Sequence, residues 1–261
     1  MTFLDWLYSN RPAGTEVKSD PWGILHIIVL ISVIAIIVAI ALLFRKKDEK
    51  SRRIVIFVIA MGILFFEVAR RIVNFTRGDL TLADGTLNWD LLVYRLIPRP
   101  WCAISCWVII ASVFVNKKFF YNFASITALL NAVIFFAYPD AGFKTHIAFE
   151  EFYSISTHCL LLIGSISFIT LGFTDFRYNR GKEKIWYEYI CYAVVFAYAA
   201  LEIILKIESD PLYFMPENGV TDVIPLPYPA YLVVYIIFVF GIWTNAFYLI
   251  PMLINKKIKK A

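Results

Sequence analysis

Seven apolar runs, each close to the length needed to cross a bilayer, limit what this chain can become. They cover residues 23–44, 54–75, 95–115, 119–138, 152–174, 186–206 and 230–254. A helix rising ~1.5 Å per residue needs about 20 such residues to span ~30 Å of hydrocarbon. Backbone in hydrocarbon has no water to bond, so runs of this length fold as helices, which satisfy their own N–H and C=O groups. The expectation is an all-α polytopic membrane protein of seven transmembrane helices. Residues 1–22 read as an extracellular tail, 23–254 as the helical domain and 255–261 as a basic cytoplasmic tail. The first run reads as apolar throughout. It follows about twenty polar and mixed residues, so it is expected to be the insertion signal, without a cleaved leader.

Charge sets the orientation. Only 17% of residues are charged, against about 25% in soluble domains. Sixteen of the 25 Lys and Arg residues lie in segments 45–53, 117–118, 177–184 and 256–260. The positive-inside rule puts those segments in the cytoplasm, the N-terminus outside and the C-terminus inside, as in a multi-pass plasma-membrane protein. The net charge of +5 is therefore an orientation signal, and no nucleic-acid partner is expected. The cysteines (Cys102, Cys106, Cys159 and Cys191) all sit in apolar runs without a CxxC or Cys/His zinc spacing. Neither a metal, a cofactor nor a disulfide framework is expected.

Polar residues inside the runs gather near one depth. Counted from the outer helix ends, Cys102, His158, Glu67, Asn131 and Glu202 fall within ~6–12 Å of the outer surface. The inner halves carry almost nothing ionisable, Glu188 being the near exception. Charges in a bilayer need one another or water, and an outward-opening polar cavity supplies both. Each residue also has a plainer role. Cys102 and Cys106 suit packing. His158 and Asn131 suit interhelical hydrogen bonding. Glu67 with Arg70 or Arg71 forms an i,i+3 or i,i+4 pair, and Arg95 and Arg99 suit snorkelling.

An imidazole that takes its proton turns a thiol into a nucleophile. Cys102 and His158 on separate helices suit that chemistry, with Glu67 as the carboxylate that orients the ring. Arg70, Arg71, Arg95, Arg99 and Lys144 suit a phosphate, whose oxygens match the guanidinium fork. A thiol at acyl-chain depth beneath basic groups at headgroup depth describes a protein that handles phospholipid acyl esters.

The series Glu67, Ile97-Pro98-Arg99-Pro100-Trp101-Cys102, Asn131 followed by Tyr138-Pro139-Asp140, Phe152-Tyr-Ser-Ile-Ser-Thr-His158, Pro211-Leu-Tyr213-Phe-Met215 and Pro225-Leu-Pro227-Tyr-Pro-Ala-Tyr231 resembles the YwaF family of bacterial integral membrane proteins. That family is related to the animal transmembrane protein 164 group. The resemblance covers most of the chain from the second run onward. It implies a seven-span protein akin to phospholipid acyltransferases, with Cys102 carrying the acyl group as a thioester and His158 serving it. Phospholipid or lysophospholipid is the implied partner, and Asn131, Glu202 and Tyr213 join the arginines as candidate substrate-binding residues. Where family members commonly show Leu-Pro-Leu-His-Leu-Cys, this chain has Pro100 in place of the histidine.

Two other classes stay open. One is a lipid or small-solute binding or transport protein that uses the same pocket without covalent chemistry. The other is a structural subunit packed against partner membrane proteins. The Pro-rich connection 207–229 reads as a lid over the pocket.

Overall fold

The computed structural model describes residues 2–8, 18, 22–76, 80–82, 84–99, 101–137, 142–180, 183–206, 212 and 226–258. Its helices are α1 (Phe3–Leu7), α2 (Ile24–Phe44), α3 (Glu49–Thr76), α4 (Trp89–Leu96), α5 (Trp101–Val115), α6 (Lys118–Ala137), α7 (Phe149–Thr170), α8 (Trp186–Ile204), α9 (Tyr228–Ile236) and α10 (Thr244–Ile258). A seven-residue π-helical stretch, Ile237–Trp243, joins α9 to α10. The only strands among the described residues are the antiparallel pair Asn179–Arg180 (β1) and Glu183–Lys184 (β2).

Five helical segments are long and apolar enough to cross a membrane, or six if α4 and α5 count as one broken span. Helix α3 is longer than any of them. However, Arg52 and Arg53 at one end and Glu67, Arg70 and Arg71 toward the other leave no span-length window of low charge.

The run expected at 95–115 is not one helix. Helix α4 ends at Leu96 and α5 starts at Trp101, with a 57° change of direction. Two prolines cause the break. A proline donates no N–H and pushes the residue before it out of the helical region, and Ile97, before Pro98, is extended accordingly, at φ −75° and ψ 136°. Helix α7 differs in the other direction. It starts at Phe149, three residues before the apolar run, because Glu151 reaches back to the backbone N–H of Ala148 at 3.1 Å. His158 therefore sits nearly a turn deeper than the run suggested.

Helices α3, α5, α6 and α7 pack together around Ile63, Ile109, Ala128 and Leu161, all fully buried. Helix α2 lies along α7 and keeps most of its surface outward, including Ile31, Leu42 and Leu43. Such an apolar exterior is what a helix facing lipid shows. One residue of that run was missed as polar: His26 is fully buried, its ring 4.5 Å from that of Phe143 and its Nδ1 accepting the Trp22 N–H at 3.3 Å. Helix α1 is packed as well, Trp6 lying 5.7 Å from Phe149 and 5.9 Å from Phe152, ring centre to ring centre.

At the end of the bundle that holds Lys118, Glu188 is fully buried, with Asn122 donating to it at 2.9 Å and Tyr248 at 2.8 Å. Asn122 also bonds both backbone groups of Asp175, at 2.8 Å each. This closed polar knot ties α6, α8, α10 and the segment after α7 together. The π-helical stretch frees carbonyls that Tyr189 and Asn245 take up, at Phe240 and Gly241.

Candidate functional site

Glu67 organises the other polar centre. It faces inward on α3, is fully buried, and accepts hydrogen bonds from Arg71 Nη1 at 2.7 Å, Trp107 Nε1 at 3.0 Å and the Tyr153 hydroxyl at 2.5 Å. One carboxylate thus joins α3, α5 and α7. A buried charge is tolerable when it is paired and its oxygens are bonded, and both conditions hold.

The cations form the next layer. Arg71 donates through Nε to the Leu96 carbonyl at 3.0 Å and lies 5.1 Å from the Trp107 ring centre. It therefore holds the end of α4 against α3. Arg70 covers the Tyr153 ring at 4.8 Å, with its Nε 3.4 Å from Glu150. Arg95 donates to the Asn74 carbonyl at 2.5 Å, and Arg99 stacks on Tyr94. Lys144 pairs with Glu151 at 3.1 Å. All four arginines expected to clamp a phosphate thus make contacts within the protein.

Cys102 is the second residue of α5 and is half-buried, because the Pro98–Pro100 break starts that helix beside α3. Its thiol lies within electrostatic reach of Arg70 and Glu67. Cys106, one turn on and fully buried, comes within hydrogen-bonding reach of the same carboxylate.

His158 is buried on α7. Its ring stacks on Phe135 at 3.9 Å with 9° between planes, and its Nδ1 is 2.7 Å from the Ser154 carbonyl. A carbonyl only accepts, so Nδ1 carries the hydrogen, and in the neutral tautomer that this selects the lone pair is at Nε2. Among the described residues no hydrogen bond joins His158 to Cys102 or to Glu67. Glu67 turns to Arg71, Trp107 and Tyr153 instead.

Asn131 donates to Ser105 at 2.8 Å and to the Thr127 carbonyl at 3.0 Å, linking α6 to α5. Glu202 is buried on α8 beside Tyr198, whose hydroxyl donates to the Pro98 carbonyl at 3.2 Å and which feels Arg71 and Arg99. The α8 end of the network is thereby attached to the α4–α5 break. Tyr213 and most of the 207–229 connection, 207–211 and 213–225, lie outside the described residues.

Trp107, Tyr153 and Tyr198 were not singled out from sequence. Their signal was available: a Trp or Tyr within an apolar run brings an N–H or O–H that needs a partner. Among the described residues no group of three or more His, Cys, Asp or Glu side chains is placed to hold a metal.

An apolar-surfaced helical bundle with five or six candidate spans, a buried carboxylate–arginine–tyrosine network and a thiol beside it defines an integral membrane protein with a polar intramembrane site. The chain belongs to the TMEM164 family, whose model matches residues 21–247. No curated protein and no solved structure matches it.

Proposed function

We propose that this protein is a seven-span plasma-membrane acyltransferase of phospholipids, with its N-terminus outside and its C-terminus in the cytoplasm. Helix α3 supplies the span that its charges disguise, and the α4–α5 pair supplies another. In the first half-reaction the Cys102 sulfur attacks an acyl ester carbonyl. The C–O bond breaks, a thioester forms, and the thiol proton ends on the departing lysophospholipid hydroxyl. In the second, the hydroxyl of an acceptor lysophospholipid attacks the thioester, its proton returns to sulfur, and the exchange balances without a further reactant. His158 relays the proton through the Nε2 lone pair that its bond to Ser154 leaves available. Tyr153 and Glu150 hold Arg70 near the thiol, Glu67, fixed by Arg71, Trp107 and Tyr153, adds its charge to that field, and the arginines meet the phosphate.

The observation that carries this reading is the half-buried Cys102 thiol beside Arg70 and Glu67 at a proline-made helix break. Its test is acyl labelling of the purified protein with a fluorescent phospholipid, followed by hydroxylamine. We expect hydroxylamine-labile label in the wild type and none in Cys102→Ala; equal labelling in the variant overturns the assignment.

One observation favours a second reading. His158 is held by Ser154 and Phe135 and, among the described residues, makes no hydrogen bond to the thiol, as in a protein that binds lipid without transferring an acyl group. Such a protein retains phospholipid in both forms and is labelled in neither.

A further inference from the structure

The two cavities described among these residues lie at the opposite end of α3 from Cys102. One, of about 290 Å³, is lined by Arg52, Arg53, Lys118 and Tyr121 among others. The second, of about 490 Å³, shares Glu49, Arg53 and Tyr121 with the first and continues along Ile54, Phe57 and Val113. Together they make a cleft with two chemistries: cations at the mouth and an aliphatic groove leading away between α3 and α5. Glu49 accepts from Arg53 Nε at 2.8 Å and from its Nη2 at 2.6 Å, and Lys50, Arg52 and Lys118 remain in excess of that one carboxylate.

This mouth is built. Arg52 donates to the Leu171 carbonyl at 2.6 Å and Lys118 to the Gly172 carbonyl at 2.8 Å, so both cations are held at the end of α7. Gly172 takes a positive φ of 78°, and a Cβ there would press on Arg52 Nη1. The Nε of Arg52 is buried without a hydrogen-bond partner. In the groove, Ile54 and Phe57 are more than 40% exposed although they belong to a helix in an apolar bundle. The volumes suit a small ligand, and the sequence of cation then hydrocarbon suits one molecule that carries a phosphate above an acyl chain.

We propose that this cleft binds an anionic phospholipid of the cytoplasmic leaflet, its phosphate at Arg52 and Arg53 and one acyl chain along Ile54, Phe57 and Val113. The site is separate from the Cys102 centre by on the order of 20 Å along α3. It rests on the orientation given above but not on acyl transfer, and the two have different readouts.

The test is native mass spectrometry of the delipidated full chain titrated with phosphatidylglycerol or phosphatidylcholine. The wild type is expected to retain phosphatidylglycerol in preference to phosphatidylcholine. Lys50→Gln with Arg53→Gln leaves the capping cations in place and lowers phosphatidylglycerol retention about thirtyfold, from two juxtamembrane charges. Lys46→Gln with Lys47→Gln removes the same charge outside the cleft and leaves retention unchanged. Val113→Trp fills the groove and lowers retention with every charge present, which separates the site from a fold defect in the charge variant. Cys102→Ala retains the lipid while losing hydroxylamine-labile label. Equal retention of the two lipids, unchanged retention in Lys50→Gln/Arg53→Gln, or displacement of phosphatidylglycerol by equimolar glycerol 3-phosphate overturns the proposal, the last by pointing to a free phosphate ligand.

Discussion

The hydroxyl of Tyr153 on α7 donates to the carboxylate of Glu67 on α3 at 2.5 Å, across 86 residues of chain. Arg71 and Trp107 complete the shell around that carboxylate. It is neutralised from its own helix and oriented from two others. Removing the Trp107 or Tyr153 donor leaves a buried acceptor position unfilled, and removing Arg71 leaves the buried charge unpaired.

Glu67→Ala is expected to destabilise the protein by about 3–5 kcal/mol, because it leaves the Arg71 guanidinium without its buried partner. Glu67→Gln keeps acceptor oxygen and shape and costs less. Thermal unfolding in one detergent measures both, and equal melting temperatures for wild type and Glu67→Ala refute the organising role.

Tyr153→Phe deletes one O–H and keeps the ring beneath Arg70. The expected loss is about 1–3 kcal/mol. Because the two groups share a bond, Tyr153→Phe combined with Glu67→Gln should cost less than the sum of the single changes. An additive double-mutant cycle contradicts the contact.

Gly142→Ala reaches the site without touching it. A Cβ at position 142 overlaps the end of the Phe135 ring, and Phe135 is the ring on which His158 stacks. The substitution is expected to change the His158 imidazole resonances in NMR spectra and to reduce acyl labelling, with Cys102 still present.

Asn122→Ala separates stability from chemistry. It unties Asp175 and removes a donor to the buried Glu188, and so costs roughly 2–4 kcal/mol through unsatisfied polar groups. Acyl labelling of the molecules that remain folded should match the wild type, because this knot lies at the other end of the bundle from Cys102.

Orientation has its own check. A cysteine placed at the exposed Asp84, between α3 and α4, should react with a membrane-impermeant maleimide in intact cells. One placed at Lys47 should react only after permeabilisation. The reverse pattern inverts the topology and moves the basic cleft to the outer surface.

Much of the architecture was legible in the sequence because a bilayer imposes a length and a polarity that a run of residues either meets or fails. The helices and the TMEM164-family relation follow from local order along the chain, as does the concentration of Glu67, Arg70, Arg71 and Cys102 toward one end of the bundle. Pairing was not legible. An outer-end depth is one coordinate, whereas the rotation of each helix about its axis decides which side chains meet. That rotation is set by packing among Ile63, Ile109, Ala128 and Leu161. It turned Glu67 toward Tyr153 and Trp107 and left His158 with Ser154 and Phe135. The break before Cys102 was written locally in Pro98 and Pro100, since proline restricts its own residue and the one before it. Which carboxylate and which cation that break would bring beside the sulfur required the folded bundle.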